Sequence, residues 1–147
     1  MSTLNRVKQF VLILLLCAPA LVSAQDKEFI NPSQSSGDGP PFSGAVMAGD
    51  TLYLSGMLGL ENGQVPDTPE EEARLILEQF KATLEEADMT MDDLVSVTIY
   101  CSDVSHYAAF NSVYRTYFSD YFPARAFIGS GALLFDARFE MQGIAVK

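Results

Sequence analysis

The segment Thr68-Pro69-Glu70-Glu71 limits what this chain can fold into more than any other. Thr68 can cap a helix, Pro69 fits the first helical position, and Glu71 completes a capping box. Glu70, Glu71 and Glu72 place negative charge at the positive end of the helix dipole and read as a solvated helix start. Behind them, Ala73, Ile76, Leu77, Phe80, Leu84 and Ala87 recur at helical spacing. The spacing predicts a helix with one apolar face, ending near Asp88. Such a helix needs an apolar surface to cover.

Strand patterns on both sides supply that surface. Ser43 to Ala48 and Thr51 to Met57 flank Gly49-Asp50 and read as a hairpin. Leu52 and Leu54 take one face of the second strand, Tyr53 and Ser55 the other. Glu61-Asn62-Gly63 marks a further turn. From Leu94 to Cys101 the pattern alternates again, with Val95, Val97, Ile99 and Cys101 on one face and Ser96, Thr98 and Tyr100 on the other. Ser105 can cap a second helix, striped by Phe110, Val113, Tyr114 and Tyr117 and running to about Phe118. Ala124 to Ser130 and Phe139 to Val146 are the last strands. The order β-β-α-β-α-β-β predicts an α+β sheet with two helices on one face. Tyr53, Tyr100 and Phe127 are then expected on the other face. An exposed aromatic sheet face calls for a partner, and a second copy of the chain is the economical one.

The N-terminus reads differently. Arg6 and Lys8 precede an uncharged apolar run from Phe10 to Val22, and Val22-Ser23-Ala24 offers small residues to a signal peptidase. The run is shorter than the roughly 20 residues a membrane span needs. Residues 1–24 are therefore expected to be a cleaved signal peptide, which predicts a periplasmic or secreted protein. Leu16 is too large to make Cys17 a lipoprotein site. Residues 25–39, rich in Ser, Gly, Asp, Asn and Pro, read as a flexible tether. Residues 40–147 form the domain. Cleavage would leave seven basic residues against 19 acidic ones, a net charge of −12. Such a chain repels nucleic acid and anionic membranes, and neither is expected as a partner after signal cleavage.

Few residues carry obvious chemistry. Cys101 is left alone and is expected to pack as a small apolar residue. His106, the only histidine, has Asp103 and Ser105 beside it, a grouping better explained by capping than by a triad. One His and one Cys argue against a zinc site, and no phosphate loop or dinucleotide fingerprint is present, so neither metal nor cofactor is expected. Arg125 stands out. It follows Phe122-Pro123-Ala124 and precedes Ala126-Phe127-Ile128, with no charged neighbour. Its planar fork of donors suits a carboxylate. A strand-end arginine, snorkelling or paired with a local acid, is the plainer reading on composition alone.

The order and spacing of these pieces resemble a known family. Pro41-Phe42-Ser43, Leu54-Ser55-Gly56, the capped helix from Thr68, Val95-Ser96-Val97-Thr98, Asn111 with Tyr114, Pro123-Ala124-Arg125 and Glu140-Met141-Gln142-Gly143-Ile144-Ala145-Val146 are similar to the RidA (YjgF/UK114) family of reactive intermediate imine deaminases. The resemblance covers about Pro40 to Val146. It implies a chorismate-mutase-like fold, a homotrimeric barrel and sites in clefts between subunits. It also implies that Arg125 grips the carboxylate of a 2-imino acid while water adds to the C=N carbon and ammonia leaves. Ser55 and Gly56 become pocket wall, Asn111 a polar support, and the main chain of Phe127 a ligand contact. Phe42 stands where a tyrosine is usual, and Gln142 where a glutamate usually orients or activates the water. Met57 replaces a usual glutamine and Gly59 a usual proline. Glutamine can orient water but cannot accept a proton as a general base. Glu140, two residues away on the same strand face, is the available substitute.

Two functions follow from the resemblance. One is a 2-iminobutanoate/2-iminopropanoate deaminase-type hydrolase with an altered site. The other is a trimeric small-carboxylate-binding or chaperone-like module that lacks the water chemistry. A nuclease fits poorly with the acidity and the expected export.

Overall fold

The computed structural model describes residues 26–147; the expected signal peptide lies outside the described residues. Six strands form one sheet: β1 (Lys27–Ile30), β2 (Ala45–Ala48), β3 (Thr51–Leu58), β4 (Leu94–Cys101), β5 (Ala124–Gly129) and β6 (Phe139–Val146). Their spatial order is β1-β2-β3-β6-β4-β5, antiparallel except for the parallel pair β4–β5. Helix α1 (Pro69–Glu86) links β3 to β4, and α2 (Tyr107–Tyr114) links β4 to β5. The fold is α+β, as the patterns predict, with one strand more. That strand, β1, lies inside the segment that composition marks as a tether. Phe29 and Ile30 are its only large apolar pair, and they pair with Val46 and Ala45 across the sheet.

The helix start is built as read. Thr68 Oγ1 accepts from the Glu71 amide at 3.3 Å, and the Glu71 carboxylate accepts from the Thr68 amide at 3.4 Å. At Asn62-Gly63 both residues adopt positive φ, which closes a two-residue turn between Glu61 and Gln64. The core lies between helices and sheet. Ile76, Leu77, Phe80, Leu84 and Phe110 from the helices meet Leu52, Leu54, Val97, Ile99, Phe139 and Met141 from the strands. Gly143 leaves room for Phe80: a Cβ there would stand 3.0 Å from its ring.

Four expectations are corrected. Glu72 is not solvated; its side chain is fully buried and paired with Arg138 at 2.9 Å. Val95 does not share the core face. A bulge between Leu94 and Ser96 adds one residue to β4, so Leu94 turns in and Val95 stays exposed. Ser105 caps no helix: Asp103 caps the 3-10 turn that leads into α2, its carboxylate accepting from the Ser105 amide at 2.8 Å, a bond that holds it below its usual pKa. Ser105 itself lies in a 3-10 turn, Val104–His106, and another 3-10 turn, Arg115–Tyr117, follows α2. Phe127 faces the helices, not the open side: its ring meets Tyr107 at 4.9 Å and Phe110 at 5.8 Å.

The open face of the sheet carries one continuous cross-strand row: Phe29, Val46, Tyr53, Ile144, Ser96 and Ala124. No helix covers it. Phe29 and Tyr53 are each about half exposed, at 52% and 51%.

Candidate functional site

Arg125 and Val97 are paired across β5 and β4, so both side chains point toward the helices. Val97 is buried in the core; Arg125, on the edge strand, is only half-buried. Its guanidinium donates to Asn111 Oδ1 at 2.8 Å and to the Tyr107 hydroxyl at 3.5 Å. It stands 4.8 Å from the centre of the Tyr114 ring and 5.8 Å from those of Tyr107 and Phe127. Rings around a guanidinium attract it through their electron-rich faces and fix its plane. No carboxylate among the described residues pairs with it. This removes the reading of an arginine paired with a local acid. The group keeps N–H donors free beside a cleft of about 170 Å³ lined by Asn111, Tyr114, Arg115, Phe122, Pro123 and Arg125.

Helix geometry explains the cluster. Tyr107, Asn111 and Tyr114 are spaced i, i+4, i+7 and share one face of α2. Asn111 and Tyr114 are part of the sequence pattern; Tyr107 is the residue that the sequence reading misses, although this spacing marks it. Burial pushes the Tyr114 phenol up to about 12, against a smaller downward pull from Arg125. It therefore stays neutral at physiological pH. Being on the sheet edge, β5 also leaves main-chain groups without a strand partner, which suits the ligand contact expected of the Phe127 backbone.

Phe42, Ser55 and Gly56 form a second group. They line a cleft of about 450 Å³ between the loop before β2 and α1. Ser55 Oγ donates to the Ser43 carbonyl at 2.7 Å, tying β3 to that loop. A bulge between Leu54 and Met57 adds a residue to β3 at Ser55-Gly56. A Cβ at Gly56 would collide with the Glu140 carboxylate, so only glycine fits there without a shift. β3 and β5 are three strand spacings apart, about 14 Å.

Gln142 belongs to neither group. It lies on the open face, where its Nε2 donates to the Tyr100 hydroxyl at 3.2 Å. Arg125 and Gln142 thus stand on opposite faces of one sheet. Two wider grooves, about 490 and 600 Å³, lie along α1. In the larger, Tyr117 donates to Glu78 at 2.6 Å and Lys81 pairs with Glu85 at 3.9 Å. His106 packs edge-on against Phe139 and Asp103 serves as a cap, so no triad forms. Cys101 is fully buried, and burial raises its thiol pKa. Among the described residues no group of three or more His, Cys, Asp or Glu could hold a metal.

The sequence profile described as Endoribonuclease L-PSP matches residues 37–147. The chain belongs to the RidA (YjgF) family. It is 33% identical over 123 residues to the RutC family protein UK114 of Drosophila melanogaster, covering 82% of this chain and 89% of that one. It is 37% identical over 110 residues to the 2-iminobutanoate/2-iminopropanoate deaminase of Capra hircus, covering 73% and 80%. Among solved structures, a conserved Rid family protein of unknown function from Yersinia pestis superposes with a TM-score of 0.75 at 28% identity, covering 83% of this chain and all of that one. A putative endoribonuclease from Thermotoga maritima gives 0.72 at 32% identity, covering 82% and 97%. The RidA fold and family are therefore established.

Proposed function

We propose that this RidA protein hydrolyses small 2-imino or enamine acids to 2-oxo acids and ammonia. The observation that carries the reading is the Arg125 guanidinium, fixed by Asn111 and Tyr107, walled by rings, and free of any acidic partner among the described residues. A cation so held suits a carboxylate gripped through its remaining N–H groups. The conjugated C=N carbon then lies beside the anchored carboxylate. Water adds to it and gives one proton to nitrogen, forming a carbinolamine; the hydroxyl proton then moves to nitrogen as the C–N bond breaks, so the carbonyl forms and ammonia leaves. The deaminase name carried by several relatives supports the same chemistry.

Arg125 and Gln142 cannot meet within one protomer, because the sheet lies between them. Ser55 and Gly56 sit on β3, three strand spacings or about 14 Å from the strand of Arg125. The proposed site therefore joins two protomers, with the Arg125 cleft of one facing a different surface of the next. Such unlike surfaces pair around a ring, which is consistent with a homotrimer closed over the open apolar face. Residues 1–24 would direct the protein to the periplasm or beyond.

A second reading has an observation of its own. Gln142 lacks a carboxylate, and its amide is already bonded to Tyr100. On that reading the protein binds small carboxylates without turning them over. One assay separates the two: an imine such as 2-aminoacrylate is generated in situ and 2-oxo acid release is followed. Acceleration over buffer at micromolar protein is expected. Its absence, together with calorimetric binding of 2-oxobutanoate, would leave the binding module as the function.

A further inference from the structure

We infer that the Tyr107 hydroxyl is a second donor to the carboxylate held by Arg125, an assignment that rests on the anion-binding reading of that site. Tyr107 opens α2, directly after the turn capped by Asp103, so its backbone is fixed from both sides. Its ring meets Phe127 edge-on, at 4.9 Å and 84°, which holds the phenol against β5. The hydroxyl oxygen accepts from Arg125 Nη2 at 3.5 Å.

That direction of bonding decides what the phenol can do. A hydroxyl has one proton and two lone pairs. Here a lone pair faces the guanidinium, so the proton points away from it. The side chain is about half exposed, and its hydroxyl makes no other hydrogen bond among the described residues. Tyr107 does not line the cleft of Asn111, Tyr114 and Phe122 but flanks Arg125 Nη2, so a carboxylate docked on that nitrogen brings an oxygen within reach of the phenol. It then takes one charge-assisted bond from the phenol as well as those from arginine. Tyr114 is the other phenol beside Arg125, but its oxygen is buried and lacks a partner. Its ring, 4.8 Å from the guanidinium, walls the cleft. Asn111 offers the guanidinium its carbonyl oxygen and so fixes the arginine. Tyr107 is thus the neutral group placed to read the anion directly.

The site accordingly favours a ligand with two accessible carboxylate oxygens over the matching amide, beyond what Arg125 alone would give. The test compares 2-oxobutanoate with 2-oxobutanamide by calorimetry in the wild-type, Tyr107→Phe and Arg125→Ala proteins. Phenylalanine keeps the contact with Phe127, so only the hydroxyl is removed. Tyr107→Phe should weaken 2-oxobutanoate about tenfold or more and leave the amide unchanged. Unchanged affinity for 2-oxobutanoate, or equal weakening of both ligands, overturns the role of Tyr107. In that case loss of binding in Arg125→Ala still upholds the anchor. Wild-type affinity in Arg125→Ala, or no binding by the wild-type protein, refutes the anion site itself and the inference with it. A melting curve of each variant separates lost binding from lost folding.

Discussion

Arg125 and Gln142 stand on opposite faces of one sheet, and each is tested by its own substitution. Arg125→Ala should abolish both 2-oxobutanoate binding and imine hydrolysis, read by calorimetry and by 2-oxo acid release. Gln142→Glu restores a carboxylate that can accept a proton and should raise kcat, by up to about 100-fold if proton transfer limits the rate. Unchanged kcat in that variant would show that positioning alone drives the reaction. Glu72 is a residue of another kind. Its carboxylate accepts from the amides of Arg138 and Phe139 at 2.7 and 3.0 Å and pairs with the Arg138 side chain. Glu72→Gln leaves that partly buried arginine without its counter-charge and should cost about 3 kcal/mol in urea unfolding. Arg125 was legible in sequence because a lone cation in an apolar strand is unusual. Glu72 was not, because three successive glutamates at a helix start look alike until the helix is docked.

Elements are where local pattern and tertiary packing meet. The capping box at Thr68 needs only residues within one turn, so it was fully readable, and Thr68→Ala should cost about 1 kcal/mol of stability. The two bulges, in β3 at Ser55-Gly56 and in β4 at Val95, were not readable. A bulge is defined by the neighbouring strand, since the extra residue exists only relative to a register. The bulge in β3 lets Met57 turn inward with Leu54 and leaves Ser55 and Gly56 at the cleft. Gly59 packs against the main chain of Glu72, where a Cβ would collide. Gly59→Ala should therefore lower the urea midpoint, by an amount equivalent to about 1–3 kcal/mol. A family-like proline at that position would meet the same obstruction.

At the scale of the whole molecule, the open sheet face and the divided site point the same way. If the proposed homotrimer closes over this face, a charge in the middle of the row, as in Ile144→Asp, should give folded monomers in sedimentation and abolish activity. The protein also carries a built-in alkaline limit. Burial raises Tyr114 to about 12, above the ordinary tyrosine value near 10. Between those values the folded form keeps a proton that the unfolded chain has lost. The contribution of Tyr114 to stability is thus complete below about pH 10 and is lost as pH rises toward 12. Tyr114→Phe should lessen that fall in denaturation followed against pH, while Tyr117, also raised to about 12, keeps part of it. By itself the sequence determined the α+β class, the capped first helix, the family and the isolation of Arg125, because these rest on periodicity, local hydrogen bonds and residue order. Only the tertiary structure decided that β1 joins the sheet, that Glu72 is buried, that Tyr107 touches Arg125, and that Gln142 lies across the sheet from it. Those depend on which surfaces meet, and a face of a strand or helix acquires a neighbour only when the chain has packed.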